Sequence, residues 1–213
     1  VPSSTRRRNL RGHGALLREE ILSAATRVID GADSEGEVSL RRIAREAGIA
    51  APSVYAHFAD RDRVLEAVAE SSWVQVSEEI AEHVQAATDP RERLLIGCRV
   101  YVSFAQRHPL RYALMTQDGH APPAARQALA VVTRGLLACR AQAPGSSHAE
   151  PPDAGADPDS ERIAAALSVA LHGVAMLHRS DAPNLWLSDF STDEVIRTLV
   201  DAATLLLSDP APG

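Results

Sequence analysis

The 213-residue chain is 45% hydrophobic and 4% aromatic, a composition that speaks against intrinsic disorder and, with alanine and leucine abundant, favours helices packed on helices. No run approaches about 20 consecutive apolar residues, so no spanning helix and no membrane partner are expected. The net charge of −6 is unevenly spread: residues 1–63 hold 11 arginines against 9 acids, and residues 64–213 hold 11 against 19.

Residues 1–14 lack apolar periodicity and read as a flexible basic arm carrying Arg6, Arg7, Arg8 and Arg11. No apolar segment follows as a secretory signal would require, and an arm of this kind suits a DNA backbone or minor groove. A first helix is predicted over about 16–30, with Leu17, Ile21, Ala24, Ala25 and Val28 on one face. Ser39 then caps a short second helix that buries Leu40, Ile43, Ala44 and Ala47, and Gly48 supplies a left-handed stop. A third helix over about 51–57 carries Pro52 in its first turn, where a missing N–H costs little. Asp60 caps a long fourth helix running to about residue 86 through Leu65, Val68, Trp73, Val76, Ile80 and Val84.

The helical pattern continues from Pro90 to His108, over 109–117 and over 122–140. A proline-, glycine- and acid-rich stretch at 141–159 reads as a flexible loop, and two apolar helices at 159–179 and 192–207 close the chain. The fold class is therefore all-α: a helix-turn-helix DNA-binding domain over 15–62 and a helical regulatory and dimerisation domain over 63–213. The last two helices show apolar surface almost all round, which a four-helix interface in a homodimer would bury.

Residues 39–58 carry the functional signal, because helix, glycine turn and helix lie too close in sequence for anything but a sharp corner. Such a corner lets one helix cross the phosphate backbone while the next enters the major groove. Ile43, Ala44, Ile49, Val54 and Phe58 form its core, which leaves Arg41, Arg45, Ser53, Tyr55 and His57 outside for phosphates and base edges.

Through SLRRIAREAGI and PSVYAHFADRDRVLEAV, residues 17–73 resemble the TetR family of bacterial regulators, with Tyr55, His57, Phe58, Arg61 and Leu65 in its most recognisable run. The resemblance implies DNA contacts from Arg41, from Ala51, Pro52, Ser53, Tyr55 and His57, and from Arg61 at the place of a phosphate-contacting lysine. Ala50 and Ala51 depart from the pattern, since polar residues are common there, and the third helix forgoes an N-cap worth about 1 kcal/mol. YVSFAQRHPLRYALM (101–115) and ALHGVAMLHR (170–179) resemble the regulatory part of one TetR subgroup with a His-Gly step, although Ser168 stands where a tryptophan is usual. That resemblance implies a pocket between helices for a small-molecule effector.

Tyr101, Phe104, Tyr112 and Met115 gather scarce aromatic and polarisable surface into one segment, which reads either as a pocket wall or as plain core. Arg99 and His172 are candidate polar fixers of a ligand, with Met176 on the same helix as His172. Nothing has the spacing of a catalytic or metal site: Cys98 and Cys139 lie far apart, and His172 and His178 are six residues apart. No enzyme activity, cofactor or metal is expected, and two cysteines fit a reduced cytoplasm. The expectation is a dimeric repressor that binds a palindromic operator in double-stranded DNA and is released by a small apolar or amphipathic molecule. A ligand-independent regulator, an activator and a helical protein-interaction module are the alternatives.

Overall fold

Local capping signals set the first helices of the chain, whose computed structural model describes residues 13–117, 122–142, 158–177 and 190–208. Helix α1 (His13–Asp30) starts three residues earlier than its apolar face suggests, and Leu16 in its first turn faces solvent. Its inner face is Ile21, Ala24, Ala25, Val28 and Ile29. Helix α2 (Leu40–Glu46) begins where Ser39 accepts a hydrogen bond from the Arg42 amide, and it buries Leu40, Ile43 and Ala44. It ends in a Schellman turn: the Ile49 amide donates to the Ala44 carbonyl, the Gly48 amide to that of Arg45, and Gly48 takes a φ of 65°.

Helix α3 (Ala51–Tyr55) follows without a side-chain cap at Ala50, as the alanine there implies, and is two residues shorter than its sequence pattern suggests. Val54 from α3 and Phe58 just beyond it close a core over α1 and α2. The Arg18 guanidinium lies 5.0 Å from the centre of the Phe58 ring. Asp60 accepts from the Arg63 amide to start α4 (Arg61–His83), which ends near residue 83 rather than 86.

The remaining helices are α5 (Pro90–Arg107), α6 (Pro109–Met115), α7 (Pro123–Ala141), α8 (Pro158–Leu177) and α9 (Thr192–Ser208). Helices α5, α7, α8 and α9 share one core through Leu94, Leu95, Leu136, Leu167, Leu171 and Val200. Gly135 lets α7 approach α5 closely, since a Cβ there would lie 3.3 Å from Leu94 Cδ1. Helix α8 is long and apolar enough by composition to cross a membrane, but Ala164, Leu167, Leu171 and Val174 are spent on this core. No strand occurs among the described residues.

Helix α4 belongs to both halves of the molecule. Its start packs in the α1–α3 core through Val64, Leu65 and Val68, while Val76 packs with Phe104 and Met115. Short helix α6 fills the angle between the halves. Leu114 joins the α1–α3 core, and the Trp73 indole donates to the Met115 carbonyl at 3.3 Å. Arg111, 3% exposed, donates to Asp30 at the end of α1 (2.8 Å) and to Gln75 on α4 (2.7 Å). Its guanidinium also lies 5.2 Å from the centre of the Phe104 ring. Next to it, burial and then the Arg111 charge lower the His108 pKa, while Asp30 pulls it up.

A buried cation is tolerable only with partners. Asp30→Ala, which leaves Arg111 without its carboxylate, is expected to cost on the order of 3 kcal/mol in urea unfolding. Asp30→Asn keeps an acceptor and should cost clearly less.

Candidate nucleic-acid interface

The outer surface of α2 and α3 follows from the same packing that buries Ile43, Ala44 and Val54. Arg41 and Arg45 project from α2, both exposed, and neither has an ion-pair or hydrogen-bond partner among the described residues. Their neighbours are committed elsewhere: Arg42 bonds Glu37 and the Gly31 carbonyl, and Arg27 of α1 pairs with Glu46 at 2.7 Å. On α3, Tyr55 is 56% exposed, Pro52 is exposed, and Ala51, Ser53 and the nearby His57 are half-buried. The corner thus presents two unspent guanidiniums beside a phenol, a hydroxyl and an imidazole. That set matches phosphate positioning from one helix and base-edge contact from the next.

Arg61 has a different setting. Its Nε donates to the Val38 carbonyl at 2.9 Å, and its Nη2 donates to the Glu35 carbonyl and carboxylate at 2.7 and 2.8 Å. These bonds anchor the start of α4 to the turn at Glu35–Glu37 that precedes α2. Arg45 is the exposed cation that the family pattern did not single out; its position one helical turn from Arg41 was the available signal. Arg6, Arg7 and Arg8 lie outside the described residues.

A cavity of about 470 Å³ opens between α4, α5 and α7, with α8 at its base. Val76, Ile80, Leu94, Leu129, Val132 and Leu171 contribute to its wall. Of the residues expected to meet a ligand, Tyr101 alone lines it. Phe104 and Met115 pack with Val76 in the core beside it, and Arg99 pairs with Asp193 of α9 at 2.5 Å. Met176 is exposed on α8.

Tyr112 and His172 connect to the cavity through Tyr101. The Tyr101 and Tyr112 hydroxyls are 3.0 Å apart, and the Tyr112 hydroxyl is 2.8 Å from His172 Nδ1. Burial raises the pKa values of both phenols. It also pushes the Cys98 thiol, on the cavity wall, up to about 12. Sequence reasoning missed the contribution of α7, whose Leu129, Val132 and Arg134 face the cavity.

A glycine-turned helix pair with an exposed basic face, carried on a separate helical body, defines a two-domain helix-turn-helix protein. Residues 21–68 match the family of bacterial regulatory proteins, tetR family, and residues 94–203 match the tetracyclin repressor-like C-terminal domain. The chain belongs to the TetR family.

A structure of a protein with unknown function from Rhodococcus sp. RHA1 is 27% identical, with a TM-score of 0.69 over 97% of this chain and 100% of that one. A TetR-like transcriptional regulator from the same organism shares the fold at 18% identity, with a TM-score of 0.58 over 93% and 99%. Nucleoid occlusion factor SlmA of Vibrio vulnificus is 26% identical over 104 residues, covering 49% of this chain and 52% of SlmA. The chain spans about half the length of the curated relatives it matches.

The uncapped α3 gives a direct check. Ala50→Ser, at a residue already in extended backbone geometry, should stabilise the protein by about 0.5–1 kcal/mol in chemical denaturation.

Proposed function

We propose that the protein is a dimeric transcriptional repressor that binds a palindromic operator through α2 and α3 and is released by a small apolar or amphipathic molecule. The observation that carries this reading is a glycine-turned corner that exposes Tyr55 together with Arg41 and Arg45, neither of which has a partner among the described residues. In this reading Arg41 and Arg61 position the phosphates, with Arg61 offering its Nη1, which lies 3.6 Å from Asp62 and is not used by the carbonyl contacts. Ala51, Pro52, Ser53, Tyr55 and His57 meet the bases, and Arg6, Arg7 and Arg8 reach the backbone or minor groove. Affinity for duplex DNA should fall steeply with salt and favour a selected palindrome over random duplex. Tyr55→Ala should abolish that preference while leaving the dimer folded by circular dichroism. Unchanged operator affinity in this variant would remove the assignment.

The dimer is assigned to the outer faces of α8 and α9. Val169 is 71% exposed, Leu205 69% and Leu206 65%, a concentration of apolar surface that a second copy would cover. Pairing there would set two α3 helices roughly 34 Å apart, one turn of duplex. Val169→Arg combined with Leu205→Arg is expected to give a folded monomer in sedimentation with much weaker operator affinity. A dimer that persists in this variant would place the interface elsewhere.

Release requires that ligand favour one arrangement of the two heads over another. Helix α6 is the element suited to carry that preference: Tyr112 bonds Tyr101 on the cavity wall, and Arg111, the residue before it, bonds Asp30 of α1. Tyr101→Phe breaks the first link while keeping the ring. The ratio of operator affinities without and with ligand should then move toward one. A ratio equal to wild type would exclude this route.

A further inference from the structure

The cavity walls are apolar, but its charged lining is of one sign. Arg93 of α5 and Arg134 of α7 both line it, and no acidic side chain does among the described residues. Most other polar side chains there are already spent. The Ser77 hydroxyl donates to the Trp73 carbonyl at 2.8 Å and the Ser168 hydroxyl to the Ala164 carbonyl at 2.8 Å. The Tyr101 hydroxyl is held by Tyr112.

The arginines keep unspent donors. Arg93 uses Nη1 on the Val84 and Ala87 carbonyls, at 2.8 and 2.9 Å, which fixes its stem at the end of α4. Its Nε and Nη2 have no partner among the described residues, and Arg134 has none at all there. Both side chains are exposed, so they stand at the opening, while Cys98, Leu94 and Leu171 are buried behind them.

We propose that this cavity binds an amphipathic anion, with its apolar body against Ile80, Leu94, Leu129 and Leu171 and its carboxylate or phosphate head on Arg93 and Arg134. The assignment rests on the reading of the cavity as the effector site and names the ligand class. A neutral apolar ligand would leave the two guanidiniums to water and gain nothing from them, and a cationic one would be repelled. A carboxylate or phosphate instead matches the planar fork of arginine, with charge-assisted hydrogen bonds. The apolar wall then supplies the bulk of the affinity and the arginines the choice of head group.

Calorimetric titration of the full-length protein with decanoate, decyl phosphate, 1-decanol and decyltrimethylammonium, each below its aggregation threshold, tests the proposal. Either anion should bind about tenfold more tightly than the alcohol, and the cation more weakly still. Arg134→Gln removes a side chain that has no partner among the described residues, and it should narrow the anion-to-alcohol ratio at least threefold. Arg93→Gln should narrow it too, and Ala128→Trp, which fills the cavity, should weaken binding of every chain.

Equal binding of anions and alcohol, with both abolished by Ala128→Trp, would overturn the anion assignment and leave the effector site standing. Binding of none, or binding indifferent to Ala128→Trp, would overturn the effector-site reading as well.

Discussion

The ion pair between Arg111 and Asp30 is the constraint on which the arrangement of the two halves depends. A guanidinium as buried as that of Arg111 must find hydrogen-bond acceptors, and the fold supplies them from two helices other than its own. The carboxylate comes from the end of α1, the amide oxygen from the middle of α4, and the Phe104 ring of α5 covers the remaining face. Satisfying one side chain therefore fixes α6 against α1, α4 and α5 together. The apolar contacts of Leu114, Val76 and Met115 set how these helices fit, and these bonds, with defined lengths and angles, add direction to that fit.

Because α6 is only one short helix, its opposite sides serve different neighbours. Leu114 enters the core of the helix-turn-helix half, and Tyr112 faces Tyr101 and His172 in the helical body. A displacement of Tyr101 cannot be absorbed by Tyr112 alone, since its ring is wholly buried and its hydroxyl is bonded on two sides. Arg111, the residue before Tyr112, is the one that holds α1. Trp73 adds a second tie, stacking on Tyr101 while bonding the Met115 carbonyl. Cavity and helix pair are joined by a few side chains with fixed partners, a connection along which the proposed coupling would run.

Much of the helix-turn-helix half was legible because its determinants are local. Ser39, Gly48 and Asp60 act on amides and carbonyls within a few residues of themselves, so their effects can be read in order along the chain. The face of α1 follows equally from its spacing. The cavity was less legible, because it depends on which sides of α4, α5 and α7 meet. Tyr101, Phe104, Tyr112 and Met115 share one aromatic segment, yet one lines the cavity and the others are packed beside it. Arg99 has the residue type of a ligand fixer, but its partner is Asp193, far along the chain on α9. No periodicity announces such a pairing. Arg61 likewise finds the backbone carbonyls of Val38 and Glu35, 23 and 26 residues earlier.

All 22 basic residues of this chain are arginine. Arg41 and Arg45 on the outer face of α2 therefore present guanidinium groups, planar and with several donors, where a lysine would present a single ammonium. Side-chain acetylation, which neutralises lysine, cannot act on either of them. The attraction of this face for a polyanion is a fixed property of the covalent chain. It can be screened by salt. On the proposed reading, regulation then acts on where this face stands rather than on how strongly it is charged.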